Sequence, residues 1–271
     1  MQLFTEGIKS HIIEKRDGET SSFRFSKKLN AAGGKQMPSF LKDITPFYGT
    51  HEKNQAGQTL EEFLEDYDPY KYKTPSCTTD TVVFSHDAAL SESLEGLKVL
   101  LVKRSNHPSI GFWALPGGFI ELEEDLEATA KRELMEETGV ANPIMEQIAT
   151  YGAYNRDPRS RVITTAYMAL VQEKDVTVKA GDDAADAVWC SLDLELAAES
   201  NEKEAVRRTY ILQFVNREKG LDTRAVVEHT LRRGLVREEH FTVSEQGMIA
   251  VDHAAIVVQA MLILRGRLVG E

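Results

Sequence analysis

Cysteine is scarce in this sequence, with two in 271 residues. Cys77 and Cys190 stand far apart, each in an apolar, strand-like stretch. That excludes a disulfide framework or a paired thiolate metal site, and predicts buried thiols in a reducing compartment. Long apolar runs are missing too. The longest uncharged one, Ala254 to Leu264, is about half the length that crosses a bilayer, and the opening MQLFTEGIKSHIIEKRDGE has no apolar core of a secretory signal. Basic charge is the third shortage. Lys and Arg number 32 against 43 acids, a net charge of −11, which excludes a general binder of nucleic acid or anionic membrane unless a local basic patch exists. The one candidate patch, Asn201 to His240, holds nine Lys and Arg against seven acids, too even a balance for a DNA reader. The sequence therefore predicts a soluble cytoplasmic protein with no nucleic-acid and no membrane partner.

What is present is enough apolar content, 42%, to fill a core, and enough length for one domain plus an appendage. Residues 1–70 carry loop-like stretches, NAAGGKQMPS and THEKNQAGQT, and a short helical pattern, TLEEFLEDY; they give no chemical signal. DPYKYKTP, bracketed by Pro69 and Pro75, is extended, and the domain boundary is placed there: an N-terminal extension over 1–70 and a domain over 71–271. Strand patterns follow at 78–84, 98–104, 144–154, 161–171 and 185–192. Helical patterns are assigned to Asp125–Thr138, Glu202–Arg217, Arg224–Arg233 and Asp252–Arg267, so residues 196–240 are expected to form a helical insertion. The fold class is α/β (α+β), a mixed β-sheet flanked by helices.

The stretch GGFIELEEDLEATAKRELMEETGV, Gly117 to Val140, is dense in acid. Asp125 suits the cap of a helix, and Gly139 suits the left-handed residue that ends it. At about 100° per residue, Glu133, Glu136 and Glu137 fall within an arc of roughly 100°, so three carboxylates converge. Leu126, Ala130 and Leu134 form a stripe that packs beneath a sheet. Arg132, one turn before Glu136, is placed to neutralise or orient a carboxylate. Gly117 and Gly118 lie where the backbone turns tightly or meets a ligand. A solvated acidic face explains the acid but not the spacing. A hard divalent cation shared between carboxylates and substrate phosphates explains both.

Gly118, five residues, Glu124, seven residues, then Arg132-Glu133-Leu134-x-Glu136-Glu137-x-Gly139-Val140 resembles the complete box of the Nudix hydrolase family. The resemblance implies a mixed sheet between helices over roughly residues 70–268, and a hydrolase of nucleoside diphosphates linked to another moiety. It implies a loop–helix that binds Mg²⁺ or Mn²⁺ through Glu133, Glu136 and Glu137, with Glu124 a weaker ligand and Arg132 orienting the carboxylates. The general base is open between a box glutamate and Asp182, Asp183 or Asp186 of the loop AGDDAAD.

Outside the box, GFWALPGGF, NRDPRSRVITTAY, DDAADAVW and VDHAAIVVQAMLILRGRL together resemble the ADP-ribose pyrophosphatase branch. On that resemblance the expected reaction converts ADP-ribose to AMP and ribose 5-phosphate. Gly117, Gly118, Arg156, Arg159 and Trp113 are then the substrate-binding candidates. Arg156 and Arg159 either clamp phosphate or ribose oxygens or are ordinary surface charges. Trp113 and Phe112 either stack on adenine or anchor the core. Asp252 and His253 are assigned to the cap of the last helix. The alternatives are an ADP-ribose-type sensor that regulates transcription, and a Nudix hydrolase of a dinucleotide coenzyme or an oxidised nucleotide. The sensor is disfavoured here because the helix after which a DNA-binding domain would follow leaves only VGE. Residues 1–70 and 196–240 are the segments available for homodimer contacts or for covering the site.

Overall fold

The structure, a computed structural model, describes residues 40–87, 89–179 and 184–270. It divides into two compact units, Met1–Lys71 and Tyr72–Glu271. In the described part of the first, a short helix, α1 (Leu60–Asp66), is fixed at its start by a capping box. The Thr59 hydroxyl accepts from the Glu62 amide at 3.3 Å, and the Glu62 carboxylate accepts from the Thr59 amide at 2.8 Å. Two otherwise orphaned donors are satisfied in this way.

The second unit is built on one mixed sheet. Its strands are β1 (Ser76–His86), β2 (Lys98–Arg104), β3 (Trp113–Ala114), β4 (Gly117–Phe119), β5 (Met145–Tyr151), β6 (Val162–Gln172), β7 (Ala184–Asn201), β8 (Ala205–Asn216), β9 (Leu221–Arg232) and β10 (Glu238–Glu245). They lie in the order β10-β9-β8-β7-β2-β1-β6-β5, with β3 on β2 and β4 on β1. β1 and β6 run parallel, Ser76 facing Val162 and His86 facing Gln172. The other pairings between these strands are antiparallel. β1 is buried continuously from Thr78 to Ser85, as a central strand covered on both faces must be.

The cover comes from two helices, α2 (Leu126–Thr138) and α3 (His253–Val269). Val83 and Leu100 join the cluster around Leu134 of α2. Their neighbours Val82, Phe84, Val99 and Leu101 point the other way, into the larger core that α3 fills. Residues 254–258 of α3 are all buried, the mark of a helix apolar on every side because it is enclosed. α3 touches β1 and also β8, β9 and β10. β1 and β10 stand five places apart in the sheet, about 24 Å at normal strand spacing, yet both reach one helix about 10 Å across. The sheet therefore curls around α3.

The expected helical insertion over 196–240 is overturned: that region is β-sheet, comprising the end of β7, β8, β9 and the start of β10. In β9, Ala225, Val227, His229 and Leu231 are buried and alternate with residues more open to solvent. In β8, Tyr210, Leu212 and Phe214 do the same. Helix-favouring charges such as Arg207, Arg208 and Glu228 suggested a helix. Burial follows period two, set by aromatic and β-branched side chains facing α3. Cys190 is buried and Cys77 half-buried, and both are free thiols. Among the described residues, no helix is long and apolar enough to cross a membrane.

Candidate active site

The loop before α3 is bound to β3. The Trp113 amide donates to Met248 O at 2.9 Å, and the Ala250 amide donates to Trp113 O at 2.8 Å. This brings the start of α3 against the β4 turn and the end of β2, and a cleft of about 400 Å³ opens between them. Glu137, Gly117, Gly118, Arg156 and Arg159 all line it, together with Asp80, Lys103, Arg104 and His253.

α2 carries Glu133, Glu136 and Glu137. Gly139 ends it in the left-handed conformation, φ 76°, its amide donating to Met135 O. Asp125 occupies the N-cap position without a side-chain capping bond. Arg132 is the hub. Its guanidinium donates to Glu124 at 2.9 and 3.0 Å, to Glu133 at 2.7 Å, to Glu136 at 3.1 Å and to Phe119 O at 3.2 Å. These bonds, and a further one from the Thr129 hydroxyl, hold the Glu124 carboxyl below its usual range. Arg132 is held firmly protonated by the same partners. Three of the four expected carboxylates are thus turned onto one arginine. Among the described residues, no three His, Cys, Asp or Glu side chains are arranged to hold a metal.

Glu137 is different. It accepts from the Gly117 amide at 2.9 Å and lines the cleft. Burial pushes its pKa up to about 7 against that hydrogen bond, and the neighbouring Glu133 and Asp80 push the same way. Gly118 is glycine for a spatial reason: a Cβ there would collide with the Glu133 carboxylate. Glu124, Glu133 and Glu136 share one arginine while Glu137 faces the cleft, and every candidate donor is oxygen. That donor set fits a hard divalent cation.

Arg156 is not a free surface charge. Its side chain is 8% exposed. Nε and one terminal nitrogen grip Asp252 at 2.9 Å each, and the latter also reaches Asp80 at 3.4 Å. Asp252 occupies the N-cap position of α3 as expected but makes no side-chain capping bond; its carboxylate is engaged by Arg156 instead. His253 accepts from the Leu115 amide through Nδ1 at 2.8 Å. Arg159 is more open and pairs with Asp157 at 2.8 and 3.1 Å, with its guanidinium 5.3 Å from the centre of the Phe119 ring.

Trp113 does not reach the cleft. At 4% exposure it belongs to the large core, because β3 pairs Trp113 with Lys103 of β2 and presents the indole inward. No face is left for a base to stack on, and its place among the substrate contacts is withdrawn. Of the general-base candidates, Asp182 and Asp183 lie outside the described residues, and Asp186 is paired with Lys219 at 2.6 Å. Asp80, Lys103 and Arg104 were missed by sequence reasoning. Asp80 had a signal, a lone charge inside the apolar strand TTDTVVF, whose burial requires a partner.

The two arginines should respond differently to truncation. Arg156→Ala would leave Asp252 and Asp80 without their shared cation, a loss of about 3–5 kcal/mol for a buried pair. Arg159→Ala should cost less than about 1 kcal/mol, its effect falling on KM. Denaturant unfolding of both variants checks this, and equal stabilities would mean the Asp80–Arg156–Asp252 network holds nothing.

A curled mixed sheet packs against two helices, and its Arg-centred glutamate helix lies beside a cleft that Lys103, Arg104, Arg156 and Arg159 line. The NUDIX domain model matches residues 79–211, and the chain belongs to the Nudix family. It is 43% identical over 114 residues to the ADPR responsive transcriptional repressor NtrR of Acinetobacter baylyi, covering 41% of this chain and 43% of that protein. It is 41% identical over 95 residues to the ADP-ribose pyrophosphatase of Methanocaldococcus jannaschii, covering 35% of this chain and 55% of that protein. The chain thus spans about half the length of these curated relatives. A crystal structure of a MutT/nudix family protein from Enterococcus faecalis has a similar fold, with a TM-score of 0.54 at 27% identity over 79% of this chain and 76% of that one.

Proposed function

We propose that this protein is a divalent-cation-dependent pyrophosphatase that hydrolyses ADP-ribose to AMP and ribose 5-phosphate. The observation that carries the reading is the cleft itself, where Glu137 and the Gly117–Gly118 turn face Lys103, Arg104, Arg156 and Arg159. The cationic side suits an anionic substrate. The carboxylate side suits a divalent metal ion. The likeness to an ADP-ribose pyrophosphatase supports the choice of substrate.

Glu133, Glu136 and Glu137 would hold Mg²⁺ or Mn²⁺, with Glu124 as a further oxygen donor. The ion supplies neutralisation of phosphate charge and activation of the attacking water. Arg132, released in part from the glutamates it now gathers, keeps them oriented. Arg104 and Arg159 offset the charge of the diphosphate, and the buried Arg156 fixes that wall of the cleft. Water adds to one phosphorus, the bridging oxygen leaves with its phosphate, and a proton is released to solvent.

The likeness to an ADPR-responsive repressor favours a second reading, in which the same cleft binds ADP-ribose as a signal. Incubation with ADP-ribose and Mg²⁺, with products resolved by chromatography, separates the two. Formation of AMP and ribose 5-phosphate, abolished by excess EDTA, is the expected result. Tight binding without turnover would favour the sensor, and full turnover in EDTA would reject the metal requirement.

A further inference from the structure

We infer that Asp80 and His253 form a subsite for a single ligand hydroxyl in the cleft, contributed by a ribose of the bound nucleotide. This rests on the reading of the cleft as an ADP-ribose site and names a part of it outside the Nudix helix. The two side chains come from opposite ends of the domain, β1 and the first residue of α3, and each is nine-tenths buried. Both line the cleft.

The roles of their atoms are fixed by their neighbours. The Leu115 amide donates to His253 Nδ1 at 2.8 Å, so Nδ1 carries no proton and Nε2 does. Nε2 is therefore a donor. It faces Asp80 Oδ1 at 3.8 Å, too far for a direct hydrogen bond. The other oxygen, Asp80 Oδ2, is already engaged by Arg156. Arg156 is gripped in turn by Asp252, which fixes the orientation of the carboxylate. Among the described residues, neither Nε2 nor Oδ1 has a hydrogen-bond partner.

A donor and an acceptor on the cleft wall separated by 3.8 Å leave room for one oxygen about 2.8 Å from each. That oxygen must accept from Nε2–H and donate to Oδ1. A hydroxyl does both. A phosphate oxygen only accepts and is repelled by the carboxylate, and an ammonium only donates. Water meets the same requirement, so the test must tell a ligand hydroxyl from water alone. Carboxylates elsewhere select ribose by accepting from its hydroxyls, and the same chemistry operates here with an added donor.

Equilibrium binding to the full chain in EDTA, where turnover does not compete, tests the subsite. The ligands are ADP-ribose and analogues each lacking one ribose hydroxyl. One analogue, and not the others, should bind about tenfold or more weakly, the usual effect of losing a hydrogen bond to a charged group. In Asp80→Asn, which keeps the size of the side chain, that discrimination should shrink to about threefold. The comparison on the unaltered chain needs no variant to fold. ADP-ribose binding with equal or evenly reduced affinity for every analogue would overturn the subsite, leave the proposed function standing, and assign the gap to water. No binding of ADP-ribose in EDTA would overturn the subsite, and only if turnover in Mg²⁺ were also absent would it overturn the proposed function.

Discussion

Glu137→Gln is expected to lower ADP-ribose turnover by about a hundredfold or more while making the metal-free protein more stable at neutral pH. The glutamine oxygen can still accept from the Gly117 amide, so the β4–α2 contact survives. What changes is charge. The Glu137 pKa is about 7 in the folded protein against an ordinary 4.5. Between those pH values the native state holds a proton that the unfolded chain has released. Stability contributed by that proton is complete below pH 4.5 and is lost as pH rises to 7. At roughly 1.4 kcal/mol per unit, the loss is at most about 3 kcal/mol. The amide has no such loss, so the variant should melt higher than the parent above pH 7 and show a flatter profile between pH 4.5 and 7. Added Mg²⁺ should raise the parent's Tm more than the variant's, since only a state that binds the ion is stabilised by it. Equal turnover, together with equal melting profiles and equal Mg²⁺ shifts, would remove Glu137 from the set of ligands.

The reasons this residue was legible in advance also explain what was not. The spacing of Glu133, Glu136 and Glu137 fixes their angular positions once a helix forms, and the Leu134 stripe with the Gly139 stop requires that helix. β1, β2, β5 and β6 were equally visible, because short β-branched runs between turn residues allow few other structures. The failures lie where partners are distant in sequence. Nothing in TYILQFVN or AVVEHTLR announces that a helix starting at His253 will bury every second side chain, so local pattern suggested helices where the structure has β8 and β9. The same limit explains Asp252: capping is its local chemistry, but Arg156, 96 residues earlier, captures it. Asp80 stood out as a misplaced charge, yet its partners could not be named without the fold. Trp113 was ambiguous because an aromatic beside a glycine turn serves a ligand or a core equally well, and only the pairing of β3 with β2 decides which.

Gly117→Ala and Gly118→Ala, adjacent and chemically identical changes, should fail in opposite ways. A Cβ on residue 117 would overlap the Thr79 carbonyl and lie 2.9 Å from the Asp80 Cα, both of them backbone of β1. Gly117 and Asp80 are also register partners, as are Gly118 and Thr79, so relief would require β4 to leave β1. Backbone in the centre of a sheet does not yield cheaply. The expected cost is about 3 kcal/mol or more, at the upper end for overpacking. A Cβ on residue 118 would instead strike the Glu133 carboxylate, the far end of a flexible side chain, which can swing aside. That variant should lose less than about 1 kcal/mol of stability but most of its turnover, because Glu133 would leave both Arg132 and the position from which it would hold the cation. Denaturant unfolding and kcat/KM, measured on both variants, give the contrast directly. In a Glu133→Ala background the Gly118→Ala change should cost almost nothing further in either measurement, because the two changes share one contact. If Gly118→Ala proved as destabilising as Gly117→Ala, or if its effect persisted with Glu133 removed, the glycine would serve the turn rather than the carboxylate it faces.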